Sequence, residues 1–319
     1  MSTTLEPESI ADSTTTASQR VRSSFAACRL KFTSLGTTKS LSSEQKSQAA
    51  ASFGANGESI SAGKRLLDTK HEAFKALASI KSQASRYWKD NSLAFPEVGI
   101  RLIRQNRVEE FDSAFGGFSD DLAAAVRRLD EHYHELKDAA RDRLGSLFDA
   151  SDYPTTLVGE FDMSWDFPSV EAPEYLRRLN PELYHEQSRR VSDRFDRAVE
   201  IAEQTFAEQL DQLVNHLAER LAGTEDGKPK VFRDSAVKNF REFFLRFREL
   251  NVGSREQLDD LVRRCERLVE GVQPQQLRDN ESLRRSLATN LSTVQSSLDQ
   301  LLVDRPRRKI LRPNRRQEG

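Results

Sequence analysis

Residues 157–168 break the three- and four-residue apolar spacing that dominates the rest of the chain. Between Glu160 and Phe167, polar and apolar residues alternate strictly. A period of two places four large apolar side chains on one face of a strand, whereas a helix would scatter them around its circumference. These side chains are Phe161, Met163, Trp165 and Phe167. We therefore predict a half-buried strand over residues 160–167.

A shorter alternation of the same kind lies in residues 27–35. Here the apolar Cys28, Leu30 and Phe32 alternate with the polar Arg29, Lys31 and Thr33. The polar face of this segment is cationic, and that of residues 160–167 is anionic. Opposite charges facing each other across a ladder contribute about 0.2–1 kcal/mol per pair. The two segments are therefore predicted to pair as a two-stranded antiparallel sheet, with helices covering its apolar face.

The remaining apolar residues predict amphipathic helices, several of them long enough to resemble coiled coils. In the N-terminal half, Gly116 and Gly117 are expected to close one helix, and Ser119 to cap the next. In the C-terminal half, Asn180 and Pro181 form a helix start. The predicted helices cover residues 43–52, 64–90, 101–115, 119–149 and 180–221, a Phe-rich helix capped by Asp234, a helix after a Ser254/Gln257 capping box, and residues 280–303. The predicted fold class is mainly α (α+β).

These elements suggest four regions. Residues 1–24 are rich in Ser, Thr and Ala and are expected to be disordered. Residues 25–170 form a helical domain with the small sheet, and residues 171–304 form a long-helix bundle. Residues 305–319 are a basic tail.

Charge is distributed unevenly along the chain. The formal net charge of all 319 residues is −1. Seven cations lie in the tail, at Arg305, Arg307, Arg308, Lys309, Arg312, Arg315 and Arg316, so the rest of the chain carries −8. Such a tail can neutralise phosphates without reading sequence, and it can equally serve as a solubilising end or a peptide that docks on a protein partner.

Two cysteines, Cys28 and Cys265, are far apart in the sequence and form no C-x-x-C motif. Neither a disulfide framework nor a zinc site is expected from them. No apolar run reaches the length of a membrane span, and the N-terminus lacks the pattern of a secretory signal. The expected location is the cytoplasm.

The usual catalytic motifs are missing from the sequence. His71 and Glu72 begin an H-E-x-x-H pattern, but the fifth position is Lys75. His132 and His134 lie two residues apart and thus on different helix faces. Neither a phosphate-binding glycine loop nor a G-x-S-x-G elbow occurs. We expect no catalytic residue, no cofactor and no metal ligand.

Two further hypotheses concern residues 160–167. The carboxylates of Glu160, Asp162 and Asp166 could hold a cation, or they could form the solvated face of a strand paired with Arg29 and Lys31. The aromatic residues could form a base-stacking platform for nucleic acid, or they could belong to the core. The regular alternation with acids favours the core.

Three segments resemble an uncharacterised domain family found in bacteriophages, integrative mobile elements and some bacterial chromosomes. They are GTTKSLSSE at residues 36–44, ASRYWKDNSLAFPEVGIRLI at residues 84–103 and ARDRLGSLFDASDYPTTLVGEFDMSWDFP at residues 140–168. The resemblance covers about residues 25–170. It implies no catalytic or cofactor site, but it implies an association with MoxR-like AAA+ ATPases and von Willebrand A-type proteins, whose genes often neighbour those of the family.

The sequence thus favours a non-enzymatic helical scaffold or adaptor of bacterial or mobile-element origin, with an AAA+ ATPase as a candidate partner or with self-association through helical seams. The alternative is a nucleic-acid-associated protein that binds through the tail. An enzyme of unknown type is the third hypothesis.

Overall fold

A computed structural model describes residues 15–221, 235–253 and 255–303. It confirms the mainly α fold class, with small antiparallel sheets. The chain divides into two compact units, residues 24–171 and residues 172–303 together with residues 15–23. The boundary predicted after residue 170 lies next to this division.

The elements follow in chain order. Helix α1 (Ala17–Ser24) belongs, except for its last residue, to the second unit. The first unit contains β1 (Phe25–Thr33), β2 (Thr38–Ser40), α2 (Ser43–Ala51), β3 (Gly63–Arg65), α3 (Glu72–Asp90), β4 (Leu93–Ala94), β5 (Ile100–Arg104), α4 (Val108–Glu131), α5 (Tyr133–Leu144) and β6 (Asp162–Asp166). The second contains α6 (Tyr175–Leu179), α7 (Pro181–Leu221), α8 (Ser235–Leu250), α9 (Glu256–Val269), α10 (Pro274–Asp279) and α11 (Glu281–Val303).

The main sheet has the strand order β4-β5-β1-β6 and is antiparallel throughout. The predicted pairing of β1 with β6 is confirmed, and its register places Arg29 opposite Asp166. The predicted number of strands is wrong, because β5 pairs with the other edge of β1 and β4 extends the sheet further. Strands β2 and β3 form a second, separate ladder.

The two faces of the main sheet have different environments. Cys28, Leu30 and Met163 belong to a core cluster with side chains of α3 and α4. On the opposite face, the part near β5 is apolar and buried, as Phe25 and Leu102 show, whereas the part near β6 is polar. The alternation predicted for residues 28–33 is therefore correct, but the sequence did not predict the buried apolar half of the outer face.

Several predicted helix ends in the first unit are wrong. The helix predicted from residue 64 begins at Glu72, where His71 Nδ1 accepts a hydrogen bond from the Ala73 amide at 3.3 Å. Residues 101–115, predicted as a helix, begin with β5 instead. The helix predicted over residues 119–149 ends at Glu131 and resumes as α5 up to Leu144.

Gly116, Gly117 and Ser119 lie inside α4 and do not form a break. The buried stripe of α4 continues across them, from Phe111 to Leu129. Each glycine costs about 1 kcal/mol relative to alanine in a helix, which is less than burial of one large apolar side chain contributes, about 1.5–3 kcal/mol. Packing therefore outweighs the local preference of the glycines.

The second unit is organised around α7, which is 41 residues long. Its predicted start is confirmed, because Asn180 Oδ1 accepts a hydrogen bond from the Leu183 amide at 3.1 Å, and Pro181 is the first helical residue. The Phe-rich helix α8 packs on it, with the Phe206 ring against Phe247. Helix α11 also agrees with its predicted range. Asp234 and Ser254 lie outside the described residues.

The disorder predicted for residues 1–24 does not hold for residues 17–24, which form α1. Val21 of this helix is buried. The guanidinium of Arg20 donates hydrogen bonds to the carbonyl oxygens of Val252 at 3.0 Å and Gly253 at 2.9 Å. These long-range contacts order a segment whose composition alone predicts no structure. Residues 1–14 are outside the described range.

Candidate functional site

The acidic face of β6 is bound to the neighbouring strand. Arg29 Nε lies 2.8 Å from Asp166 Oδ1, and its Nη2 lies 2.5 Å from Oδ2, which is a two-point ion pair. Hydrogen bonding to Arg29 lowers the pKa of Asp166. Lys31 lies opposite Ser164, and among the described residues Arg29 pairs with a carboxylate but Lys31 does not. No group of three or more His, Cys, Asp or Glu residues able to hold a metal occurs in the described part of the chain.

The aromatic side chains of this segment belong mainly to the core. Phe161 is buried. Trp165 is half-buried, donates a hydrogen bond from Nε1 to Asp112 Oδ1 at 2.8 Å and lies 5.7 Å from the Phe115 ring. Phe167 is exposed and departs from the predicted core face. A base-stacking platform needs several open ring faces, which this arrangement does not provide.

The five histidines all lie in the described residues and occupy helix ends and helix surfaces. The His71 ring lies 5.1 Å from that of His132, but its Nδ1 is used to cap α3. His134 is exposed and lies 3.4 Å from Asp138. His185 and His216 lie on exposed positions of α7. This geometry fits structural and solvated roles.

Both cysteines are buried free thiols, Cys28 on β1 and Cys265 on α9. Burial raises the pKa of each thiol to about 12. At neutral pH both are therefore protonated and poorly nucleophilic. The basic tail at residues 305–316 lies outside the described residues.

An exposed apolar stripe lies where α6 leads into α7. Tyr175, Leu179 and Leu183 are 62%, 77% and 36% exposed. They recur every fourth residue, so the spacing was visible in the sequence, but their exposure was not. Asn180 has extended backbone angles and separates α6 from α7, so the spacing defines a common helix face only for Tyr175 and Leu179. We call these three residues the α6–α7 stripe.

A buried ion cluster supports the β2–β3 ladder. The Asp152 side chain is 1% exposed and lies 2.5 Å from Lys64 Nζ, whose own side chain is 6% exposed. Lys39 Nζ bonds to the other carboxylate oxygen. Lys64 also donates to the carbonyl oxygen of Leu147 at 2.7 Å. The cluster fixes the two strands against the segment that follows α5.

An open cleft of about 490 Å³ lies beside this cluster, and we call it the β2–β3 cleft. Its lining residues are Thr38, Gly63, Arg65, Asp68, Lys70 and Arg143. Arg143 Nη2 donates to the Arg65 carbonyl oxygen at 3.1 Å. The side chains of Arg65 and Lys70 form no ion pair within the part of the chain that the structure describes.

A second open cleft, of about 440 Å³, runs along α3, and we call it the α3 cleft. Its lining residues are Phe32, Lys81, Ser82, Ser85, Arg86, Lys89 and Asp90. The Lys81 ammonium lies 5.3 Å from the centre of the Phe32 ring, and burial lowers the pKa of Lys81. Arg86 and Lys89 make no ion pair with any described residue.

All residues that line the two clefts except Arg143 come from the basic segment of the first unit, residues 29–107. Residues 29–107 contain 14 Lys and Arg but 6 Asp and Glu, whereas residues 108–171 contain 5 Lys and Arg but 16 Asp and Glu. The net charge of the first unit as a whole does not reveal that its cations and anions are concentrated in different segments. A count along the sequence would have found it, although not the clefts.

Comparison with known proteins finds no matching family model, no matching curated protein and no matching solved structure. The family resemblance of residues 25–170 therefore stays a prediction from the motifs quoted above. None of the described helices is both long enough and apolar enough to cross a membrane.

Proposed function

We propose that this protein is a non-enzymatic helical scaffold that binds another protein through the α6–α7 stripe. The observation that carries this proposal is the exposure of three large apolar side chains around the junction of α6 and α7. Exposed apolar side chains that lie close together are typical of interaction surfaces, and helical segments can dock into apolar grooves.

The size of the stripe limits what it contributes. Full burial of a Leu side chain contributes about 1.5–3 kcal/mol. Scaled by the exposed fractions, the three side chains would contribute about 3–5 kcal/mol before the cost of ordering. A gain of this size could form the centre of an interface, but it is too small to account for stable binding by itself. The partner must therefore also contact the residues around the stripe.

The charges beside the stripe indicate the chemistry of the partner. Arg177 pairs with Glu174 at 3.1 Å, and Arg190 pairs with Glu186 at 2.5 Å. The neighbouring Arg178 is exposed and forms no ion pair within the described residues, so it is available to a partner. We therefore infer an apolar groove with an acidic rim as the complementary surface. The family resemblance suggests an AAA+ ATPase as the protein that carries it.

Quantitative co-purification tests the proposal. A tagged wild-type chain is compared, in cells of the source organism, with the double variant Tyr175→Ser/Leu179→Ser. The control is Leu245→Ser, because Leu245 is 63% exposed on α8 in the same unit. The proposal predicts a specific protein that is lost from the double variant and retained by the control. Equal recovery of every co-purifying protein with all three chains would contradict it.

A further inference from the structure

We propose that the first unit, residues 24–171, also binds the phosphodiester backbone of a nucleic acid through the β2–β3 cleft and the α3 cleft. This surface is distinct from both the α6–α7 stripe and the basic tail. It is carried by three features: cations without acidic partners, a preorganised arginine, and the separation of charge within the unit.

The β2–β3 cleft presents cations that are already positioned. The guanidinium of Arg143 is held by the Arg65 carbonyl oxygen at 3.1 Å through Nη2 alone. Its Nε and Nη1 therefore keep their donors for a ligand. A guanidinium fork matches the oxygen atoms of a phosphate group. Lys70 and the side chain of Arg65 add two positive charges against the single carboxylate of Asp68.

The rigid support of this cleft reduces the ordering cost of binding. Strand β3 carries Arg65 directly after Lys64, which is locked in the buried cluster with Asp152. On β2, Thr38 lies next to Lys39, the second cation of that cluster. Side chains that begin from fixed backbone lose less entropy when a ligand is bound. The Thr38 hydroxyl is a further donor to phosphate oxygen.

The α3 cleft repeats this composition on a helix. Lys81, Arg86 and Lys89 contribute three cations, and Asp90 contributes one carboxylate. Ser82 and Ser85 add two hydroxyl groups, which bind phosphate oxygens in protein–DNA interfaces.

Two such clefts in one basic region favour an extended polyanion over a single small anion. Phe32 is the one large apolar residue among the side chains that line the two clefts, so the ligand is expected to be bound through its charge. Clusters of cations also recognise acidic peptides, and competition with poly-glutamate separates the two kinds of polyanion. Contacts to phosphate carry no sequence information. Binding is therefore expected to be independent of sequence and strongly dependent on salt.

Fluorescence anisotropy of the full chain with a labelled 24-nucleotide single strand and the corresponding duplex tests the inference. The cleft variant is Lys70→Glu/Arg86→Glu, with one cation from each cleft. The matched control, with the same change of net charge, is Arg127→Glu/Arg128→Glu, because both residues are exposed on α4 and form no ion pair with described residues. A third chain replaces the seven tail cations by Gln. Tryptophan fluorescence and circular dichroism check that each chain is folded.

The inference predicts binding whose affinity falls with salt, with the cleft variant at least about tenfold weaker than the control at 100 mM NaCl. The slope of log K against log salt should become less steep by about 2 for the cleft variant. The chain without tail cations should retain this difference. The inference is overturned if wild type does not bind at 50 mM NaCl, if the cleft variant and the control bind equally, or if poly-glutamate competes as well as the oligonucleotide does.

Discussion

Replacing Asp152 by Asn would remove the negative charge at the centre of the buried ion cluster. Lys64, whose side chain is 6% exposed, would then have only uncharged acceptors, the Leu147 carbonyl oxygen and the amide oxygen of the new Asn, and no carboxylate. Removing one member of a buried ion pair costs about 3–5 kcal/mol, because the remaining charge is left without compensation. We expect Asp152→Asn to lower the free energy of unfolding of the first unit by about 3 kcal/mol.

Urea denaturation followed by tryptophan fluorescence measures this change. The protein has two tryptophans, Trp88 and Trp165, and both lie in the first unit. The signal therefore reports this unit even where the two units unfold separately. With an m-value of about 2 kcal/mol/M, the midpoint should fall by about 1.5 M.

Lys39→Met is the matched control for this prediction. The Lys39 side chain is 56% exposed, so its removal should cost no more than about 1 kcal/mol. A urea midpoint for Asp152→Asn within about 0.3 M of wild type would contradict the expected loss of the buried ion pair. An equal loss of stability in Lys39→Met would contradict it as well.

Acidic pH should cause the same loss of stability in the wild-type chain, because it protonates Asp152. Burial alone would raise the pKa of Asp152, but hydrogen bonds from Lys39 and Lys64 outweigh burial and lower it. A carboxyl group with a lowered pKa stabilises the folded state above its unfolded pKa, and this contribution is lost as pH falls through the folded pKa. The stability difference between wild type and Asp152→Asn should therefore shrink below about pH 4.

Three further predictions concern other sites. Arg29→Asp alone should destabilise the first unit by about 0.5–1 kcal/mol in the same urea assay, and adding Asp166→Arg should restore most of the loss; no restoration would contradict the pairing. Burial, and to a smaller extent the charge of Asp299, raises the pKa of Asp211. This carboxyl group therefore destabilises the folded state increasingly as pH rises above the pKa that it has in the unfolded chain. Asp211→Asn should therefore raise the free energy of unfolding at pH 7 by about 1 kcal/mol. The new amide can donate a hydrogen bond to the buried Asn215 Oδ1, which has no donor among the described residues. A lower melting temperature would contradict this prediction. Neither cysteine should react with a thiol reagent in the folded protein, and rapid stoichiometric labelling without denaturant would contradict their burial.

Local signals were sufficient for some elements. The Asn180-Pro181 start of α7 depends on a side-chain cap and on the fixed φ of proline, both of which are local. The pairing of β1 with β6 followed from alternation together with complementary charge. In these cases the residues that determine the structure are neighbours in sequence or carry an unambiguous period.

Long-range packing determined the elements that the sequence did not predict correctly. The short apolar run of β5 suits a helix or a strand, and pairing with β1, more than 70 residues away, decides between them. The clefts were equally hidden, because Arg143 meets Arg65 only after the first unit has folded. The exposure of Leu179 likewise depends on which side of the short helix α6 packs on α7.

Site-specific photocrosslinking at position 179 tests the proposed scaffold function most directly. Leu179 is replaced by p-benzoylphenylalanine in the full chain, and the same replacement at Leu245 serves as the control. If the α6–α7 stripe is a docking surface, irradiation in cells of the source organism should give a discrete adduct with one protein at position 179 and no such adduct at position 245. Identical adduct patterns at both positions, or no adduct at position 179, would contradict the claim that the α6–α7 stripe is a docking surface.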